Sequence, residues 1–465
     1  MNEKSYGLDL TQGRLSTLIL RFAWPFLASS IVSVLYGAVD LAVVGQFTGQ
    51  NVISGVATGS QVMNIVFAAT NGIGTGGTVL IGRRVGERDD KACARAAASF
   101  MITGAALAVF ITLLLFAARG VLLTALATPA AALPSASNYV FITTMGAPFL
   151  VGFNMLSSMA RGMGNARTPS IIAAIGCGVN IVLDYLLVGV WPLAEAGAAI
   201  ATVAAQIVAF VIMVIWQYKR KFSFPFTRRD FRIDWSSVGS VFKVGLPLWL
   251  QDLLVSLSFM IITGIVNKMG VVASASVGIV SRVFSFGGIF PSAFGSAIAA
   301  ITAQNIGAGK RDRALKSLRW GIVYSLIICG LFCVYCQVAP QSITALFVSA
   351  SEPDVIEGSA AYLRAFGLDL LLVAIIFPTN SYLSGCGKSA ISMVHSMIAT
   401  FGGRIPLSIL ASRLVGYTLN GQLYMLGLAS PIASVPSIII SYAYIFWQRK
   451  KERRLLPGAD AGDGE

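Results

Sequence analysis

Residues Ser170 to Val190 read SIIAAIGCGVNIVLDYLLVGV. An apolar run of this length crosses a bilayer as a helix, because about 20 residues rising 1.5 Å each span the hydrocarbon core. Within the run stand Asn180 and Asp184, one helical turn apart and so on one face. A carboxylate at that depth costs about 2.5–3.5 kcal/mol on insertion scales, so it faces a water-filled cavity or an ion path rather than lipid. What the other spans bring to the level of Asp184 decides the function.

Composition agrees with a membrane chain. Of 465 residues, 56% are hydrophobic and only 12% charged, against about 25% charged in soluble domains. The net charge of +14 does not point to nucleic acid. The charges sit in short clusters between apolar runs, as in loops beside anionic lipid. Cys329, Cys333 and Cys336 form a CxxxCxxC on one helix, but no His or further Cys is placed to complete a metal site. The N-terminus lacks a cleavable signal-peptide pattern, so the first span is expected to be retained.

Apolar runs predict six spans near 18–46, 52–82, 92–122, 137–159, 170–190 and 194–218. Six more follow near 240–267, 271–306, 314–340, 357–383, 389–413 and 421–447. The expected fold is all-α and integral to the membrane, with twelve transmembrane helices in two bundles. The N-terminal lobe covers 1–220 and a basic linker 221–237. The C-terminal lobe covers 238–448, and the tail 449–465 is basic, then disordered. With the N-terminus inside, 28 of the 34 Lys and Arg fall on the cytoplasmic side. That asymmetry places both termini in the cytoplasm.

The second half repeats the first. Arg21-Phe-Ala-Trp-Pro25 meets Lys243-Val-Gly-Leu-Pro247 at an offset of 222. Ile81-Gly-Arg-Arg-Val-Gly86 meets Thr302-Ala-Gln-Asn-Ile-Gly307 at 221, and Tyr139 and Gly162-Met-Gly164 meet Tyr362 and Gly385-Cys-Gly387 at 223. Six spans per half give both halves one orientation, hence a parallel repeat about a pseudo-two-fold along the membrane normal. The paired ARGMGN and LSGCGK segments read as tight turns whose glycines supply positive φ.

LYGAVDLAVVGQF (35–47), IGRRVGERD (81–89), MARGMGNARTPS (159–170) and GVNIVLDYLLV (178–188) together resemble the multidrug and toxic compound extrusion family. The resemblance covers both halves, and the order of the four stretches carries it. It implies a secondary transporter.

Helix rise puts Asp40 and Asp184 both about 9 Å below the outer surface, in one bundle. Thr202 reaches a similar depth, and Asn180 lies one turn below Asp184. Two carboxylates, an amide oxygen and a hydroxyl make a hard-oxygen cluster that either holds Na⁺ or shares a proton. The resemblance, to the branch with an aspartate pair in its N-terminal lobe, implies a cation site at Asp40, Asn180, Asp184 and Thr202, with Asn154 a further candidate. The plainer alternative is that the two aspartates only tie helices together. Asp252 and Asp369 fall near mid-membrane in the second lobe, about 17–18 Å deep. They read either as substrate or coupling groups or as counter-ions for Arg282 and Arg404. His395, the only histidine, reads as a packed polar residue. GIGTGG (72–77) resembles a phosphate loop only superficially, being inside a span with no Lys-Ser/Thr after it.

The expected function is export of amphipathic, often cationic, organic compounds against H⁺ or Na⁺, with no other cofactor. The protein is expected to act as a monomer in the plasma membrane, with small molecules and the bilayer as its only partners. A lipid-linked precursor flippase or metabolite exporter of the same superfamily is the alternative. An integral-membrane enzyme is disfavoured, because no paired aspartate-rich motif or His cluster lies on the cytoplasmic rim.

Overall fold

The computed structural model describes residues 7–126, 128–220, 222, 224–227, 230–348, 352–414 and 418–455. Parts of the expected linker (221, 223, 228 and 229) and the end of the tail (456–465) lie outside the described residues.

Apolar runs without β-branched alternation become long helices. They are α1 (Leu15–Phe47), α2 (Gln50–Glu87), α3 (Asp90–Ala125), α4 (Leu133–Gly162), α5 (Arg167–Asp184) and α6 (Ala194–Arg220). The second half supplies α7 (Trp235–Asn267), α8 (Val271–Gly307), α9 (Arg311–Val338), α10 (Pro340–Thr344), α11 (Pro353–Phe366) and α12 (Asp369–Gly385). Then come α13 (Ser389–Met397), α14 (Ile405–Ser412) and α15 (Leu419–Leu455). Ten helices among the described residues are long and apolar enough to cross a membrane. The fold is all-α and integral to the membrane, as expected.

Three expected spans are interrupted. The stretch 170–190 is α5 followed by a π-helical turn, Tyr185–Val190. The stretch 357–383 is α11 and α12, which meet at 46°. The stretch 389–413 is α13, a π turn at Ile398–Arg404, and α14. Such π turns interrupt the regular i to i−4 bonding and recur at functional positions.

The chain packs into two compact units. The first takes in Met1–Leu253, Ser292–Gly321 and Ser381–Ser389. Its core gathers Phe100, Ile81, Met159 and Met213, all essentially inaccessible. The glycines of GIGTGG are the seam along which α2 packs. A Cβ on Gly77 would strike the Phe100 ring, and one on Gly76 would strike the Val241 carbonyl. The paired turns carry left-handed glycines, Gly164 at φ +86° and Gly387 at φ +74°.

The polar N-terminus does more in this unit than its composition suggests. Residues 7–13 form a strap over the C-terminal end of α8 and the charged start of α9. Leu8 N–H donates to the Gly164 carbonyl at 3.1 Å. Leu10, fully buried, donates its N–H to Gln304 Oε1 at 3.1 Å and accepts at its carbonyl from Asn305 Nδ2 at 3.0 Å. Lys310 Nζ donates to the Thr11 carbonyl, and Arg313 Nη2 to those of Gln12 and Gly13. Backbone groups outside helices need such partners, and the end of α8, the turn after it and the start of α9 supply most of them.

The second unit takes in Leu254–Pro291, Ile322–Asn380 and Ala390–Glu465. Tyr362 stacks on Phe366 at 5.3 Å between ring centroids, beside Leu363, Leu370, Cys329 and Cys336. The cysteines of α9 thus fill core space as small apolar groups. His395 is buried, with Nε2 2.9 Å from Asn380 Oδ1 and its carbonyl accepting from Ser437 Oγ.

Candidate functional site

In the first unit, α5 packs between α1 and α6. Asp184 is the last residue of α5 before the π turn and is wholly inaccessible. Asp40 on α1 is 6% exposed, and the two carboxyl groups lie within hydrogen-bonding reach of each other. Equal depth, read from helix rise, therefore becomes direct proximity. Asn180 stands one turn before Asp184 on the same face and points Nδ2 at Thr202 Oγ1 of α6, 3.5 Å away.

Two hydroxyls complete the cluster that sequence reasoning did not assign to it. Tyr36 and Tyr139 both lie within reach of Thr202, and both feel the charges of Asp40 and Asp184. Ser60 of α2 donates to Tyr139 Oη at 3.3 Å. A signal for Tyr36 existed, since it precedes Asp40 by one helical turn and shares its face. Tyr139 was legible only as a repeat marker, because its contact with Thr202 spans three helices.

The donor balance is the decisive feature. Asp40 Oδ1, both carboxyl oxygens of Asp184 and Asn180 Oδ1 are buried and receive no hydrogen bond. Buried polar atoms are normally paired, and two adjacent carboxylates in a low-dielectric site do not both stay ionised without a compensating positive charge. Chemically, such an arrangement can accept a proton or a small hard cation. Oxygen ligands of this kind suit alkali and alkaline-earth ions rather than soft metals.

The other sequence-read residues are placed elsewhere. Asn154 on α4 is buried and gives Nδ2 to Thr70 Oγ1 of α2 at 3.3 Å, so its amide is engaged away from the aspartate pair. Asp252 on α7 and Arg282 on α8 are exposed side chains. Asp369 is buried and accepts from Ser430 Oγ and Ser434 Oγ of α15, each at 2.6 Å. Where one of the two readings gives Asp369 an arginine counter-ion, the structure gives it a serine pair. The bend after Phe366 puts Asp369 in the first turn of α12, where the helix dipole favours a carboxylate, and turns it toward α15. Arg404 stacks on the Phe259 ring, with its guanidinium carbon 5.1 Å from the centroid. An apolar groove of about 600 Å³ between α2, α3 and α7, lined by residues such as Ile65, Phe110, Phe242 and Trp249, contains none of these groups.

The MatE family model matches residues 25–186 and 247–410, one match in each half. The probable multidrug resistance protein YpnP of Bacillus subtilis (strain 168) is 26% identical over 411 residues, covering 88% of this chain and 91% of its own. The multidrug export protein MepA of Staphylococcus aureus (strain MSSA476) is 22% identical over 428 residues, covering 91% and 93%. A solved outward-facing multidrug resistance MATE family transporter of the MOP superfamily superposes with a TM-score of 0.88 at 21% identity, over 96% of this chain and 99% of that one.

Proposed function

This chain belongs to the MATE family of membrane transporters and is not an enzyme, and from that premise we propose that it is an ion-coupled antiporter for amphipathic organic compounds. The observation that carries the proposal is the set of buried carboxyl and amide oxygens at Asp40, Asp184 and Asn180 that receive no donor. Thr202 stands beside them, and Tyr36 and Tyr139 close the cluster. These residues hold the coupling ion, H⁺ or Na⁺. The names of YpnP and MepA support export of drugs as the direction and cargo.

Coupling follows from charge. With no ion bound, the aspartates repel, and relief comes from moving α1 against α5 at the π turn that begins after Asp184. With the ion bound, they are drawn together. If substrate favours one arrangement and the ion the other, each must weaken the other's binding by the same factor. The excess of basic residues on one side supports cytoplasmic termini and a plasma-membrane location, with one chain as the working unit.

The test is export of a fluorescent cationic dye from proteoliposomes, with pH and sodium gradients imposed separately on wild type and Asp184→Asn. Gradient-driven export that is lost in a folded Asp184→Asn protein is expected, and the effective gradient names the ion. Undiminished export by that variant would sink the proposal.

A further inference from the structure

The second unit holds a half-buried positive group at the repeat position of the first unit's buried negative pair. Arg404 closes the π turn of the 389–412 span, the repeat counterpart of the span that carries Asn180 and Asp184. At an offset of 222–223 it falls opposite Ile181 and Val182, between those two residues. Its Nε and Nη1 are buried and have no hydrogen-bond partner. The Phe259 ring covers the face of the guanidinium, but a cation–π contact leaves the in-plane N–H donors unused. One turn further, on the same face, Ser408 Oγ is also buried without a partner. Tyr362, itself buried, lies within the electrostatic field of Arg404. Asp369, which also acts on Tyr362, is occupied by Ser430 and Ser434.

An unsatisfied guanidinium in a membrane span is expensive, and its planar fork of donors matches an oxyanion better than any neutral group. The geometry points to Arg404 as a binding point for the carboxylate, sulfonate or phosphate of an amphipath whose apolar part lies against Phe259, with Ser408 as a second donor. This inference rests on the antiporter proposal and narrows it. The second unit selects compounds bearing an anionic oxygen group, so anionic and zwitterionic amphipaths join the cations as substrates. The same oxyanion chemistry is offered by a phospholipid headgroup, which the test separates.

The experiment measures equilibrium binding of 11-(dansylamino)undecanoic acid and of its methyl ester to the full-length protein in phosphatidylcholine nanodiscs, with no ion gradient. Wild type is expected to bind the acid on the order of tenfold or more tighter than the ester, as a charge-assisted hydrogen bond provides. Arg404→Gln is expected to erase that preference while leaving ester binding intact, which also reports that the variant is folded, and Arg404→Lys to retain part of it. A preference that survives in Arg404→Gln, or none in wild type, overturns the site. Adding phosphatidylglycerol assigns the source. Displacement of the acid in wild type but not in Arg404→Gln marks a lipid headgroup site, and indifference marks a site for soluble amphipaths. Because no gradient is used, failure here leaves the Asp184 transport test standing, and the reverse.

Discussion

Gly86 of α2 and Gly307 of α8 cross as mutual counterparts in the first unit. A Cβ on Gly86 would run into the Gln304 carbonyl, and a Cβ on Gly307 into that of Arg83. Each glycine thus sits on the residue three positions before the other, as a pseudo-two-fold through the crossing requires. Gly162 and Gly385 follow the same rule. The first closes on Thr78 and Ile81, the second on Ala299 and Thr302, and those two pairs are themselves related by the offset of 221.

Gly307→Ala must push two backbones apart, since the obstructing atom is a carbonyl oxygen that cannot rotate away. A loss of about 1–3 kcal/mol is expected, as for overpacked cores, read as a lower thermal unfolding midpoint in detergent. The Gly86→Ala/Gly307→Ala pair should lose less than the sum, because one separation relieves both overlaps.

The strap on α8 makes a separate prediction. Gln304→Ala removes the acceptor of the buried Leu10 N–H and the donor to the Gly162 carbonyl, the latter at 2.8 Å. Each orphaned group costs about 1–3 kcal/mol, enough to free the strap while the helices stay folded. A cysteine introduced by Leu10→Cys, inaccessible in the intact protein, should react with a thiol reagent at least tenfold faster when Gln304→Ala is added.

Asp369 is held by serines, and its neutral analogue should be the milder change. Ser430→Ala/Ser434→Ala strands a buried carboxylate and is expected to cost more than about 3 kcal/mol, since bonds to charged groups contribute about 1.5–3 each. Asp369→Asn keeps the shape, and the serine hydroxyls can turn to accept from its amide, so less than about 1.5 kcal/mol should be lost. Chemical unfolding of the three proteins decides between this and a counter-ion role.

Tyr139→Phe takes one hydroxyl from the aspartate cluster without touching a carboxyl group. Ser60 loses its acceptor, and Thr202 a neighbouring hydroxyl. A loss of about 0.5–1.5 kcal/mol in ion binding is expected, seen as a several-fold higher half-saturating proton or sodium concentration at unchanged maximal export.

Asp234 precedes α7 and caps it, accepting from Ser236 N–H, Ser237 N–H and Ser237 Oγ. The Ser237 hydroxyl, with the two backbone donors, holds its carboxyl below the usual range. Stability from a carboxyl depressed on folding is present above its unfolded value near 3.9 and fades as pH falls through the lower folded value. Asp234→Ala should therefore cost about 1 kcal/mol evenly from pH 8 to 5, with the gap to wild type closing below about pH 4.

Much of this protein could be read along one dimension. Apolar run length located the helices though not the three breaks in them, self-comparison found the repeat that Gly86 and Gly307 later embody, and helix rise put Asp40 and Asp184 at one level. These are local quantities, fixed by hydropathy and by 1.5 Å per residue. The tertiary structure decided which face of each helix meets which neighbour, a matter of rotation and packing between residues distant in the chain. It turned Asp369 to Ser430 and Ser434 rather than to an arginine, brought Tyr139 to Thr202, and laid Leu10 on Gln304. It also left Arg404 against Phe259 with two buried N–H edges bare, because a bend and a π turn redirect side chains in ways that residue spacing alone does not encode.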